Sequence, residues 1–224
     1  MDFTTIHLVR HGEVDNPSGV LYGRRPGFHL TKLGLEMAEG VAQAFRTGHD
    51  VRAVVASPLE RAVETATPTA QAFGLPVITD SDLIEADNYF EGLQLNKNPY
   101  VLALPKYWVR IRNPFEPSWG ERYREVVARM SRAIARGLAL APDGGEVVMV
   151  SHQLPIWVTR LFLEGKSVSH NPKRRECSLC SVTSLTFSGK QLVSVDYWEP
   201  VKHLLAQAQD MVPGTSEAAL KRPD

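Results

Sequence analysis

A chain of 224 residues with 43% hydrophobic content can bury a sizeable core, and one domain with an insertion fits it better than two independent domains. Its 25 basic and 25 acidic side chains cancel, so no global field attracts nucleic acid or an anionic membrane, and any anion has to be recognised locally. Residues 1–20 lack the basic start and apolar core of a signal peptide, and no apolar run approaches the roughly 18 residues of a membrane span, which gives a cytoplasmic expectation.

The first element is the apolar run Ile6–Val9, ended by Gly12, which reads as a buried strand delivering Arg10 and His11 at its carboxyl end. Ligands of open α/β sheets bind in the crevice outside such strand ends, so both residues are candidates for a site. Gly12 would let the backbone come close to a bound group. Thr31 can cap a helix in which Ala38, Val41 and Phe45 recur at helical spacing, with Gly48 closing it. Val51–Ala56 is a second buried strand. Ser57-Pro58-Leu59-Glu60 then has the form of a helix start, with a serine cap, proline at the first position and glutamate at the third. Arg61 falls in the first turn, where helical side chains lean toward the N-terminus, so its guanidinium points back to the strand end.

Pro76–Ile78 reads as a short third strand, followed by a loop carrying Asp82, Glu85 and Asp87. Prolines and aromatics alternate through residues 96–119, the pattern of an inserted lid or binding element or of packing for the insertion itself. A helix from about Glu121 to Leu140 places Tyr123, Val127, Met130, Ile134 and Leu138 on one face. Glu146–His152 then repeats the opening pattern: an apolar strand delivers His152, and Pro155 stands in the first turn of the helix that follows. Ser181–Phe187 and Gln191–Trp198 read as a terminal hairpin. Residues 1–210 are thus expected to form the domain and 211–224 a flexible tail.

Cys177 and Cys180 form one CxxC that leads into a strand and lacks the remaining ligands of a zinc set, so they read as two reduced structural thiols. His7 lies inside the first strand, and His29, His49, His170 and His203 have no motif around them; surface or core roles are expected for all five. No carboxylate and imidazole set for a metal is evident along the chain.

Taken together and in order, Leu8-Val9-Arg10-His11-Gly12-Glu13, Tyr22-Gly23-Arg24, Leu30-Thr31-Lys32-Leu33-Gly34, Ala56–Ala66, Leu83-Ile84-Glu85 and Val150-Ser151-His152 resemble the histidine phosphatase superfamily, the phosphoglycerate-mutase-like proteins. The resemblance covers most of the chain. It implies an α/β fold of three layers, a mostly parallel sheet between helices, with an inserted lid segment at about 96–119. It also implies that His11 is the nucleophile that becomes phosphorylated, that Arg10, Arg61 and His152 hold the phosphoryl oxygens with Asn16 as a further ligand, and that Glu85 is the proton donor. The chain departs from the family pattern at Val14, Gln153 and the segment after Glu85, where an expected glycine is missing, so Asp87 and Asp82 are rival donors.

This assignment agrees with the chemistry. Phosphoryl transfer spreads charge over three oxygens, which arginine forks match in geometry. Neighbouring cations keep an imidazole neutral and nucleophilic, and a protonated carboxylic acid serves the leaving oxygen. The expectation is a metal-independent and cofactor-independent phosphomonoesterase that acts through a phosphohistidine on a small phosphorylated metabolite, with no nucleic-acid or membrane partner. One alternative is a mutase-type phosphotransferase, although mutases of the family usually have an arginine where this chain has Ala86. Another is a non-catalytic phospholigand-binding module, which would need neither His11 nor Glu85.

Overall fold

The computed structural model describes residues 3–94, 104–108 and 118–218. Its centre is a six-stranded sheet of β1 (Phe3–Arg10), β2 (Val51–Ala56), β3 (Val77–Thr79), β4 (Gly145–Ser151), β5 (Val182–Ser188) and β6 (Gln191–Trp198), in the order β3-β2-β4-β1-β5-β6. The first four in that order run parallel, and the β5–β6 hairpin is added antiparallel at the edge beside β1. The mostly parallel sheet expected from the sequence is therefore present.

Successive strand residues point to opposite faces, and both faces here are covered. Ile6, Leu8, Val147 and Met149 face one layer, where α4 (Tyr123–Leu140) and α5 (Gln153–Leu163) pack. Val9, Val148 and Val150 face the other, beneath α1 (Lys32–Phe45) and α2 (Glu60–Ala72). Two short helices, α3 (Pro105–Trp108) and α6 (Lys202–Leu205), complete the helical set among the described residues. Of the expected insertion, only 104–108 and 118–119 belong to the described residues. No helix among the described residues is long and apolar enough to cross a membrane.

Thr31 caps α1 as expected, accepting from the Gly34 amide at 2.9 Å, and its hydroxyl also donates to the Glu13 carboxylate. Ser57 departs from expectation. Helix α2 starts at Glu60 with Leu59 at the cap position, and the Ser57 hydroxyl lies 2.8 Å from His152 Nε2 but 3.4 Å from the Leu59 amide. The buried imidazole is the better-placed partner, so the serine serves the strand ends rather than the helix. Of the expected tail 211–224, residues 211–218 are described. Within residues 211–218 the Pro213 carbonyl accepts from Gln153 and the Thr215 amide donates to the Arg175 carbonyl.

Candidate active site

Strand register assembles the site. Arg10 pairs with Ser151 across β1 and β4, so the next residues, His11 and His152, emerge side by side with ring centroids 5.2 Å apart. Ala56 pairs with Val150 on the other side of β4, which brings Ser57 and the first turn of α2, with Arg61, to the same end. Gly12 is required there for a reason other than ligand approach. A side chain at Gly12 would stand 2.7 Å from the Gly34 carbonyl, and one at Gly34 would stand 2.2 Å from the Glu13 carbonyl. The two glycines let the His11 loop lie directly on the start of α1.

His11 is buried, and its Nδ1 is 2.8 Å from the Gly12 carbonyl, which can only accept, so Nδ1 carries the proton and Nε2 keeps its lone pair. Burial first, then the charges of Arg61 and Arg10, hold its pKa well below the ordinary imidazole value. His152 is lowered in the same way by burial, Arg61 and His11. Both rings are neutral at physiological pH.

The two arginines differ. Arg10 forms a two-pronged pair with Asp210, Nη1 at 2.7 Å and Nη2 at 2.8 Å, and donates again to the Cys177 carbonyl. Burial would pull this guanidinium down, but the Asp210 carboxylate more than offsets it and leaves the pKa raised. Arg61 is equally buried, stands 4.7 Å over the Tyr22 ring and donates Nη2 to the Gly23 carbonyl at 2.6 Å. Its pKa is lowered by burial. Arg61 Nε and Nη1, Arg10 Nε and His152 Nδ1 are buried nitrogens without a protein partner, and all four belong to this cluster. An unsatisfied buried donor costs about 1–3 kcal/mol, and the three guanidinium N–H groups gathered here, beside a ring nitrogen of His152, are a set that an anionic oxygen group would satisfy.

In front of His11 lies a cavity of about 280 Å³, lined among others by Arg10, His11, Tyr22, Glu85, Trp119 and Arg175. Arg61 and His152 are not among its lining residues, and the His152 ring lies 5.2 Å from that of His11. Glu85 accepts from the Ala86 amide at 2.8 Å, and burial raises its pKa against that bond and the nearby arginines. The backbone of its loop is held by Arg24, which donates to the Glu85 carbonyl and to Glu121, and by Arg129, which bonds the Asp82 carbonyl and the same Glu121.

Not every expected residue reaches the cavity. Asn16 bonds Val20 within its own loop and lies outside the lining, so it shapes the wall formed by residues 19–23. Asp82 is bound by Arg132 and Arg136 elsewhere, which removes it as a rival donor. Asp87 does line the cavity but is exposed, whereas Glu85 is half-buried and is the acid whose pKa is raised. Cys177 and Cys180 are free and buried, and burial pushes their thiols up to about 11 and about 12. Their segment frames the site through its backbone, as the Cys177 carbonyl receives Arg10 and the Cys180 amide faces the His11 carbonyl.

Asp210 and Arg175 were not anticipated. Asp210 is the last residue of the expected domain, 200 positions from its partner, with no motif around it. Arg175 lies in a basic run, Lys173-Arg174-Arg175, that reads as surface charge, yet it donates to His170 Nε2 at 2.9 Å and to Gln153 at 3.1 Å while lining the cavity. That run follows the Asn171 turn, and its placement depends on contacts with the 213–215 backbone.

Comparison with known proteins agrees with this geometry. The family model for the histidine phosphatase superfamily (branch 1) matches residues 6–199. An uncharacterized protein of Mycobacterium tuberculosis is 51% identical over 197 residues, spanning 88% of this chain and 96% of its own length. A 2,3-bisphosphoglycerate-dependent phosphoglycerate mutase of Thermoplasma acidophilum is 39% identical over 152 residues, 66% of this chain and 70% of its own. Among solved structures, a mycobacterial glucosyl-3-phosphoglycerate phosphatase aligns with a TM-score of 0.72 at 23% identity, over 88% of this chain and 99% of that one, a likeness of fold. With the ordered motifs, the sheet and the family match in agreement, the chain belongs to the histidine phosphatase superfamily.

Proposed function

We propose that the chain is a phosphomonoesterase that works through a phosphohistidine on His11 and acts on a small phosphorylated metabolite. The observation that carries this reading is the neutral His11, with Nε2 open, set beside four buried nitrogens that have no protein partner. Arg61 Nε and Nη1, Arg10 Nε and His152 Nδ1 are the donors for the phosphoryl oxygens. The guanidinium groups supply the positive charge that the transfer needs, so no metal is required for the chemistry.

In the first step His11 Nε2 attacks phosphorus, the bond to the ester oxygen breaks, and Glu85 gives that oxygen its proton. In the second, Glu85 takes a proton from water, the water oxygen attacks phosphorus, and the bond to His11 breaks to release phosphate. The raised pKa of Glu85 suits the first role, and its burial beside the cavity suits both. Because Asp210 neutralises Arg10, the uncompensated positive charge comes from Arg61 and Arg175, neither of which pairs with a carboxylate among the described residues.

The Thermoplasma relative favours a second reading, transfer to a phosphorylated acceptor instead of water. A screen of phosphomonoesters with purified protein, with and without a chelator, tests the proposal. Inorganic phosphate should be released at equal rates in both conditions. Loss of turnover on chelation that a divalent ion restores contradicts metal independence, and transfer to phosphoglycerate without release of phosphate favours the mutase.

A further inference from the structure

The sequence shows no metal-binding set, but the fold builds one at the other end of the sheet. His7 on β1, Glu146 on β4 and His49 in the turn between α1 and β2 bring their ligand atoms within 4.8 Å of one another. Glu146 Oε2 lies 3.1 Å from His7 Nε2 and 2.7 Å from His49 Nδ1. His11 follows four positions after His7 and His152 six after Glu146, so this cluster is about 13–20 Å from the phosphoryl cradle at 3.3 Å per residue. It therefore takes no part in the chemistry proposed above.

We infer that His7, His49 and Glu146 form a binding site for a transition-metal dication of the zinc class, which ties the α1–β2 turn to β1 and β4. Two imidazoles and one carboxylate are donors that suit such an ion. Ligands at 2.0–2.1 Å in a tetrahedron stand about 3.3 Å apart, so the 3.1 Å and 2.7 Å separations open by about 0.2 and 0.6 Å and the two imidazole nitrogens, within 4.8 Å of each other, settle to that value. The surroundings match what metal-bound histidines require of their other nitrogen and ring face. His7 Nδ1 is 2.9 Å from the Ser184 hydroxyl, which itself receives the Trp198 indole N–H at 3.1 Å. The His49 ring stacks on Trp198 with an interplanar angle of 8° and meets Phe45 edge-on.

His7 is buried, whereas the side chains of His49 and Glu146 are 27% and 21% exposed, which leaves a path of entry and room for water as the fourth ligand. Binding requires only that each neutral imidazole carry its proton on the other nitrogen, Nδ1 of His7 facing Ser184 and Nε2 of His49. No net proton, electron or co-reactant is involved. Without a metal the same three residues form a closed hydrogen-bond triad.

The test is calorimetric titration of the full chain, first stripped with chelator, with zinc chloride, together with cobalt chloride absorption and thermal unfolding. One equivalent of zinc should bind, cobalt should give intense tetrahedral d–d bands, and the metal should raise Tm by several degrees, since it binds only the folded chain. His49→Ala and Glu146→Gln should each abolish all three signals, while His203→Ala, on exposed α6, should retain them. If the unmodified chain shows no saturable binding, or if binding survives both substitutions, the site does not exist. The titration of the unmodified chain decides the question even if a variant fails to fold.

Discussion

At the carboxyl ends of β1 and β4, His11 and His152 are buried among guanidinium groups, kept neutral, and left with nitrogens that no protein atom satisfies. At the opposite end of the same sheet, His7 and His49 share one carboxylate oxygen of Glu146, and Ser184 occupies the remaining nitrogen of His7. Two clusters of equal imidazole content therefore differ in what they offer a ligand. Unpaired donors distinguish the first, because each costs stability unless a ligand satisfies it. The two arginines differ in degree, since Asp210 takes both terminal nitrogens of Arg10 and leaves only its Nε, while Arg61 keeps Nε and Nη1 without a partner.

This contrast can be broken at either arginine. Asp210→Ala should have the largest effect on stability, about 3–5 kcal/mol, because it strands a buried guanidinium whose pair is otherwise complete. Denaturant unfolding measures it, and a loss below about 1 kcal/mol would mean that the 209–218 segment is only laid over the site. Arg61→Ala should lower turnover about 10²–10³-fold, as removal of an oxyanion donor does, with a much smaller loss of stability. Equal effects of the two substitutions on unfolding would erase the distinction between the two arginines.

Glu85→Gln sharpens the comparison on the acid side. It should slow alkyl phosphates by about 10²-fold or more while nearly sparing aryl phosphates, whose leaving groups need little protonation. The sign of its pH dependence follows from burial. Glu85 must be protonated for the first step, and its pKa lies above the ordinary carboxylate value, so activity on alkyl esters persists above that value and falls as pH rises through the raised one. The Glu85→Gln variant should lose this alkaline limb. Equal losses on both ester types would move the acid role to Asp87.

Much of the fold was legible because its signals are local. Buried strands read as apolar runs, Thr31 as a cap, and the stripe of α4 as one apolar face. The cradle was legible in part for the same reason: His11, His152 and Arg61 stand at ends of elements whose positions the pattern already marks. What was not legible depends on pairing across the chain. Asp210 meets Arg10 across 200 positions, Glu146 meets His7 across 139 and His49 across 97, and none of these contacts leaves a local pattern. Ser57 misled for a related reason, as its neighbours form a good helix start while its hydroxyl answers to a histidine 95 positions away.

Rapid quench of the enzyme with a labelled phosphomonoester asks whether phosphate passes through His11. The expected result is label on His11 within the first turnover, in an acid-labile and alkali-stable linkage, and neither label nor turnover in His11→Ala. Full turnover without label on His11, or an active His11→Ala variant, would contradict it.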